Sequence, residues 1–268
     1  MKKSLFTLEH ARQLTEDTYE LVLSGDTSAI TAPGQFVNIE LPGKFLRRPI
    51  SICNWTGDAI MLLVKVVGEG TRELVRCVPG TELDVLSGLG NGFNMDLAGE
   101  HPVLAGGGIG IAPLYGLAQR MLERGQKPTV ALGFRTGKDA FYLEEFAALG
   151  CRLLIATEDG SLGVKGFVTD SIRAVPECDY VLSCGPLPML KAVHALPQLK
   201  DGQFSFEARM GCGFGACMGC TVPTRDGYKR VCKDGPILYK EEIVYHDLNN
   251  QEDVLRKSLS LPWNTPGS

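Results

Sequence analysis

Pro102-Val-Leu-Ala-Gly106-Gly-Gly-Ile-Gly110-Ile-Ala-Pro113 joins an uninterrupted apolar run to a glycine-rich turn and closes on a proline. An apolar run without alternation suits a strand buried on both faces. A proline suits the first turn of a helix, where its missing N–H is no loss. A strand over residues 102–105 and a helix over 113–123 are therefore predicted, with Gly106, Gly107, Gly108 and Gly110 at the junction. A helix N-terminus fed by glycines is a ready place for a pyrophosphate. The run lacks the G-x-G-x-x-G order of the usual dinucleotide fingerprint. Taken alone, a glycine-rich turn is often only a turn.

Working outward, the same alternation continues downstream. Residues 129–134, 152–156, 180–183 and 204–206 read as strands, and 143–149, 167–174 and 187–196 as helices. Apolar strands alternating with helices imply a parallel sheet. Upstream the pattern differs. Residues 19–23, 35–41 and 60–67 are β-rich runs between Gly, Pro, Asp and Asn turns, with one short helix over 71–77. Closely spaced strands of this kind predict a small antiparallel barrel. The expected class is multi-domain α/β plus β. The barrel is placed at residues 1–98, the parallel α/β unit at 99–206 and a small cysteine-bearing domain at 207–240. A charged, then Ser/Pro-rich C-terminal extension occupies 241–268.

Composition bounds the function. The chain has 268 residues, 44% apolar and 22% charged, an ordinary globular balance. Lys plus Arg is 27 and Asp plus Glu is 31, a net charge of −4, so there is no basic footprint for nucleic acid. The longest uncharged apolar stretch, residues 102–118, is glycine-rich and falls short of the ~20 residues a membrane span needs. The start, Met1-Lys-Lys-Ser-Leu-Phe-Thr-Leu-Glu9, is too short an apolar run for a signal peptide. A cytoplasmic protein bound neither to a membrane nor to nucleic acid is expected.

Nine cysteines are many for a reducing compartment, where clustered cysteines point to metal or redox chemistry. Five are scattered, and four are grouped as Cys212-Gly-Phe-Gly-Ala-Cys217-Met-Gly-Cys220 and Cys232. The C-x4-C-x2-C opening is the plant-type [2Fe–2S] spacing. Three thiolates from one loop can reach a compact anionic cluster. Gly211, Gly213, Gly215 and Gly219 let backbone amides approach the sulfurs. The other reading is structural zinc, which usually pairs two C-x2-C knuckles; only one such pair is present.

Other features are weaker. Arg48-Pro49-Ile50-Ser51 and, twenty residues on, Gly68-Glu-Gly70-Thr71 could pair an arginine and a helix start with a diphosphate. A surface arginine and an ordinary turn would look the same. Cys184-Gly185-Pro186 ends a strand, on the side where ligand crevices form, although a lone cysteine there is more often a small buried hydrophobe. Thr157-Glu158-Asp159-Gly160 ends the strand over 152–156. Carboxylates of Glu158 and Asp159 beside an adenosine ribose would repel a 2′-phosphate and favour NAD over NADP, while Arg135 argues faintly the other way. Histidines 10, 101, 194 and 246 show no ligand spacing, and the pairs Glu144/Glu145 and Glu241/Glu242 read as solvated faces.

In their order along the chain these motifs resemble the ferredoxin–NADP reductase superfamily. The cysteine loop and Val231-Cys232-Lys-Asp-Gly-Pro236 resemble, more narrowly, the electron-transfer subunits of class 1B dihydroorotate dehydrogenases. The resemblance covers roughly residues 5–240. It implies FAD held by Arg48, Pro49, Ile50 and Ser51, with Lys65, Val66 and Val67 on the flavin or ribityl and Gly70 and Thr71 seating the diphosphate. It implies NAD on Gly107, Gly108 and Gly110, with Cys184 and Gly185 near the nicotinamide. Cys212, Cys217, Cys220 and Cys232 would ligate the [2Fe–2S] cluster. A partner subunit would carry FMN and oxidise dihydroorotate, in a heterotetramer of two plus two serving pyrimidine (UMP) synthesis. Electrons would pass from that FMN through the cluster and FAD to NAD⁺. No side chain of this chain is needed as a general acid or base. Because the cysteine loop follows the last strand, outside both nucleotide motifs, the cluster is expected to face the partner.

Two rival readings stand beside this one. One is another NAD(P)H–ferredoxin reductase-type or hydrogenase-associated flavoprotein subunit; the two glycines inside the 212–217 loop and the Cys232-Lys-Asp-Gly-Pro run favour the dihydroorotate system. The other is a non-enzymatic redox-sensing protein whose nucleotide sites only sense.

Overall fold

The structure is a computed structural model that describes residues 1–175 and 177–245. Residues 246–268, and with them His246 and most of the expected C-terminal extension, lie outside the described residues.

The N-terminal part is a closed antiparallel barrel. Its strands are β1 (Lys2–Gln13), β2 (Thr18–Gly25), β3 (Phe36–Ile39), β4 (Arg48–Trp55), β5 (Ala59–Lys65) and β6 (Glu82–Leu89), and helix α1 (Glu69–Leu74) lies between β5 and β6. Around the barrel the order is β1-β2-β5-β4-β3-β6. Alternate residues point inward, as the period of a strand requires. Phe6, Leu8, Leu21, Leu23, Ile60, Leu62, Leu83 and Val85 are each 3% exposed or less. Leu74 of α1 joins the same core and plugs one end. The sequence conceals β1 because its outward positions carry lysine, arginine and histidine. The strand expected over 60–67 stops at Lys65, since the Val66 amide turns back to the Asp17 carbonyl at 2.7 Å. The helix expected over 71–77 begins earlier, at Glu69, and ends at Leu74.

The second unit is a sheet with helices on both faces. It contains β7 (Val103–Gly107), α2 (Ala112–Glu123), β8 (Thr129–Phe134), α3 (Leu143–Ala148), β9 (Arg152–Thr157), β10 (Val164–Lys165), α4 (Val168–Arg173), β11 (Tyr180–Cys184), α5 (Leu187–His194) and β12 (Asp201–Ser205). The parallel order is β10-β9-β8-β7-β11-β12. Val103 and Ala105 pack toward α4 and α5, whereas Leu104 packs toward α2 and α3. The strand expected over 204–206 starts at Asp201 instead. Its Gln203 disguises it: the side chain is fully buried and donates to the Asn94 carbonyl and the Tyr180 hydroxyl, each at 2.8 Å.

Barrel and sheet are locked together. A Cβ on Gly116 of α2 would lie 2.5 Å from the Cys53 carbonyl oxygen of β4, so only glycine permits this approach. Arg120 stacks on Trp55, 3.4 Å from the ring centroid. Tyr142, with a φ of 64°, donates to Glu20 at 2.5 Å, and Glu20 also accepts from Arg12 at 3.1 and 3.2 Å.

The cysteine-bearing segment is stitched to both units. It forms the hairpin β13 (Thr221–Thr224) and β14 (Gly227–Arg230), then β15 (Ile237–Tyr239). β15 runs antiparallel to β12 and becomes the seventh strand of the sheet. Asn91, just after β6, donates to the Ile237 carbonyl and accepts from the Ile237 amide, each at 2.9 Å. Phe36 and Leu89 of the barrel share one core with Cys220, Val222, Val231 and Cys232.

Candidate functional site

Two adjoining crevices open at the carboxyl ends of the parallel strands, where ligand sites of open α/β sheets form. The larger, roughly 660 Å³, runs over the turn after β7. The smaller, roughly 230 Å³, lies between the barrel and β12. Lys65, Ile109, Gly110 and Glu207 line both and mark where they meet.

The smaller crevice brings together Pro49, Ile50 and Ser51 of β4, Lys65, Val67, Thr71, Gly110 and Cys184. These come from the barrel, α1, the glycine turn and β11. Arg48 and Gly70 do not line it; they pack against each other, with a Cβ on Gly70 falling 1.9 Å from Arg48 Nε. Arg48 donates to the Leu46 carbonyl and forms no ion pair among the described residues. Thr71 does not offer a free hydroxyl: its Oγ1 accepts from the Val67 and Gly68 amides at 3.0 and 3.3 Å. Val66 lies outside the crevice, with its amide engaged by Asp17.

The larger crevice takes in Gly107, Gly108, Gly110, Glu158 and Gly185. The glycines serve different ends. A Cβ on Gly110 would meet the Cys184 carbonyl oxygen at 2.4 Å and Gly185 Cα at 2.6 Å, so Gly110 lets the turn lie on β11. Gly108 has a φ of +52°, with open space where a side chain would project. Of the two candidate acidic residues only Glu158 lines the crevice. The Asp159 carboxylate is turned onto Ser161, accepting from its amide at 3.0 Å and its hydroxyl at 2.6 Å. Arg135 lines the same crevice.

Glu207 is the residue that sequence reasoning passed over. It follows the last parallel strand directly, and that position is its only signal. The side chain is exposed at the mouth of both crevices, and partial desolvation by the protein around it pushes its carboxyl above the usual range. Cys184 is fully buried and its thiol is pushed up to about 12, which leaves it inert as a nucleophile.

The four grouped cysteines fall into two pairs. The Cys217 amide donates to Cys212 Sγ, and the Cys232 amide donates to Cys220 Sγ at 3.4 Å. Among the described residues no three or more His, Cys, Asp or Glu side chains are arranged to hold a single metal ion. Two pairs of cysteines supply the four thiolates that a centre of two irons takes, two to each iron. Cys212 Sγ accepts from the amides of Ala216 at 3.2 Å and of Phe214 and Cys217 at 3.5 Å. Burial works to raise its thiol, but these amides and Cys217 outweigh it and bring it down to about 6. Donors aimed at sulfur are what an anionic cluster needs. Arg230 fixes the far side of the loop. It grips Asp234 through Nε at 2.8 Å and Nη2 at 3.0 Å, and its Nη1 donates to the Gly215 carbonyl at 3.0 Å. That grip holds the Asp234 carboxyl down to about 2. Cys217 is exposed, as are Phe214 and Met218 beside it.

Comparison with known proteins bears on each part. The family model for the iron–sulfur cluster binding domain of dihydroorotate dehydrogenase B matches residues 207–244. The model for the oxidoreductase NAD-binding domain matches residues 104–195. The dihydroorotate dehydrogenase B (NAD(+)) electron transfer subunit of Geobacillus sp. (strain WCH70) is 43% identical over 257 residues, covering 91% of this chain and 99% of that protein. The protein of the same name from Bacillus mycoides (strain KBAB4) is 41% identical over 258 residues, covering 91% and 99%. Among solved structures, an NADH-dependent reduced ferredoxin–NADP oxidoreductase superposes with a TM-score of 0.83 at 29% identity, covering 96% of this chain and 98% of that one. Among the described residues no helix is long and apolar enough to cross a membrane.

Proposed function

The chain belongs to the family of dihydroorotate dehydrogenase B electron transfer subunits, and on that footing we propose how its crevices and thiols divide the work. It is an oxidoreductase subunit that links the oxidation of dihydroorotate to the reduction of NAD⁺. Its cofactors are FAD and a [2Fe–2S] cluster, with NAD as electron acceptor. When bound, FAD would supply a carrier competent in both hydride and single-electron exchange, the two kinds of transfer that NAD and the cluster require.

The chain's own residues bind and orient. Arg48 meets the FAD diphosphate, with the amides of Gly70 and Thr71 beside it. Pro49, Ile50, Ser51, Lys65 and Val67 wall the flavin, with Val66 holding the strand end on Asp17. Gly108 lets the NAD pyrophosphate approach the backbone, Gly107 beside it makes room for Met189, whose sulfur a Cβ there would meet at 2.4 Å, and Gly110 seats the turn on Cys184 and Gly185. Glu158 meets the adenosine ribose, with Asp159 shaping the turn, which favours NAD over NADP. Cys212, Cys217, Cys220 and Cys232 hold the cluster. Exposed Cys217, Phe214 and Met218 turn that loop outward, toward a partner subunit that carries FMN and the dihydroorotate site. A heterotetramer of two plus two in the cytoplasm, serving pyrimidine synthesis, completes the proposal. Family membership sets aside the non-enzymatic redox-sensor reading.

The observation that carries this reading is the meeting of two crevices at Lys65 and Glu207 together with cysteines joined in pairs by amide-to-sulfur hydrogen bonds in the segment that follows. The test is to express the chain with an FMN-containing dihydroorotate-oxidising subunit and follow dihydroorotate-dependent NADH formation. Co-purification, a cluster spectrum and NADH formation are expected. An isolated chain that binds neither the partner nor a cluster would overturn the reading.

A further inference from the structure

Asn38 is an amide on a barrel strand otherwise filled by hydrophobics. β3 pairs with β4 in the register Phe36↔Ser51, Val37↔Ile50 and Asn38↔Pro49. Directly opposed residues of an antiparallel pair share a face. Val37 and Ile39 point into the barrel core, so Phe36 and Asn38 stand on the outer face with Ser51 and Pro49. Phe36, Pro49 and Ser51 line the smaller crevice. Asn38, one step along the same face, does not; it turns to the cysteine loop instead. Its Nδ2 donates to the Cys212 carbonyl at 3.2 Å. The loop has closed on it so tightly that a Cβ on Gly213 would stand 2.4 Å from Nδ2, and Gly213 has a φ of +79°. Asn38 is 1% exposed, and its Oδ1 is buried with no hydrogen-bond partner among the described residues. The strand beneath it is held by Arg47, which donates to the Asn38 carbonyl at 3.3 Å and to Asp84 at 2.8 Å.

An amide with one polar atom unpaired is a poor choice for packing alone, since an apolar side chain of similar size would leave nothing unsatisfied. Its paired half reaches across from the crevice-lining face to the backbone of the first cysteine. We infer that Asn38 is a positioning residue for electron transfer: it fixes the Cys212 end of the cluster loop against the flavin-bearing face of the barrel. The inference rests on the proposed assignment of FAD to the smaller crevice and of the cluster to the four cysteines. Asn38 touches neither reacting atoms nor substrate; it acts through the Cys212 carbonyl.

The test uses the full chain carrying FAD and cluster, reduced anaerobically with NADH. Asn38→Leu keeps the volume and removes the donor. It should keep its FAD and reduce its flavin within twofold of the parent rate. Reduction of its cluster should slow at least tenfold, and its reduced-cluster EPR signal should split into more than one species. A chelator should strip its cluster at least threefold faster. Asn38→Asp also lacks the donor and adds a negative charge beside the loop, so NADH should reduce a smaller fraction of its cluster. Purification of Asn38→Leu with FAD but without cluster would support the same role. Cluster reduction and EPR matching the parent would overturn it, as would loss of FAD and cluster together, which marks a general packing role. A parent protein whose cluster takes no electrons from NADH would overturn the electron-transfer reading itself; a normal parent with a normal variant overturns only the role of Asn38.

Discussion

Replacing Gly70 by alanine should move stability and FAD affinity in opposite directions. Gly70 lies in the first turn of α1 with an ordinary negative φ, since it is not among the positive-φ glycines. Alanine there removes backbone entropy from the unfolded chain and should stabilise the cofactor-free protein by roughly 0.5–1 kcal/mol. For a chain of this size that is a rise of about 1–4 °C in Tm. The new Cβ, however, would sit 1.9 Å from Arg48 Nε and 2.6 Å from its Cζ. The far end of a flexible side chain gives way, so the fold survives and the guanidinium moves. If Arg48 grips the FAD diphosphate, losing that charge-assisted bond costs about 1.5–3 kcal/mol. That raises the Kd for FAD by roughly 10- to 150-fold. Fluorescence titration of cofactor-free protein with FAD measures the affinity, and thermal unfolding of the same sample measures the stability. Arg48→Ala should match the affinity loss without the gain in Tm. Because both changes act through one guanidinium, the double variant should bind FAD no worse than Arg48→Ala alone. An unchanged FAD affinity in Gly70→Ala would refute the role given to Arg48. Additive losses in the double variant would refute the route from Gly70 to Arg48.

Cys217→Ser should lose the visible cluster spectrum yet retain FAD and NADH oxidation by a dye that draws on flavin directly, because serine is a poor iron ligand and the FAD residues lie in the barrel; coupled dihydroorotate-to-NAD⁺ activity at the normal rate would contradict the proposed route. NADH should be oxidised faster than NADPH at equal subsaturating concentration, and Glu158→Ala should narrow the gap; equal rates in the parent would defeat the argument from Glu158. Glu207→Gln should weaken NAD⁺ relative to NADH about fivefold, since a carboxylate near the cationic nicotinamide is worth roughly 1 kcal/mol when partly solvated. Because partial desolvation holds this carboxyl above the usual range, the parent's preference for NAD⁺ should fade on acidification at a higher pH than an ordinary glutamate would give. Calorimetric binding across pH reads both effects, and a Gln variant with the parent's NAD⁺ to NADH ratio would rule out the charge as the cause.

The parts of this molecule that were legible in the sequence are those where local chemistry and fold agree. The apolar run before Gly106–Gly110 and the Pro113 after it mark a strand-to-helix junction, and the C-x4-C-x2-C loop announces its chemistry through spacing. What escaped was written in tertiary structure. Gln203 is polar and looks like a loop residue; the Asn94 amide and carbonyl and the Tyr180 hydroxyl satisfy its side chain and make it a buried strand residue. β1 carries charges outward and has no distinguishing run. Asp159 and Glu158 are adjacent and equally acidic, and nothing local says that Ser161 captures one carboxylate and leaves the other in the crevice. Asn38 and Cys212 are 174 residues apart, so their contact cannot be read from any window of sequence.

The return of the chain in β15 explains why one segment can serve both the crevice and the cysteines. The chain leaves β12 through Phe206 and Glu207, lines the smaller crevice again at Ala208 and Met210, and enters the cysteine loop at Cys212. It comes back through Pro236, whose carbonyl accepts from the Phe206 amide at 2.9 Å, into β15 beside β12. The loop thus begins and ends at neighbouring points of one sheet, closed at its base by backbone hydrogen bonds and held to the barrel through Asn91 and Asn38. Such a closure anchors both ends of the cysteine-bearing segment to the strand beside the crevice wall. On the proposed reading, the separation of flavin and cluster is therefore set within this chain. A docking partner then adjusts only the outward step, across the exposed face of Phe214, Cys217 and Met218. Substitution of Phe214 or Met218 on that face should change coupling to the partner while leaving the transfer from NADH to the cluster at its parent rate. A stopped-flow comparison of Met218→Ala with the parent chain, alone and in complex, separates the two steps. A slowed cluster reduction in the isolated variant would show that the exposed face also governs the internal one.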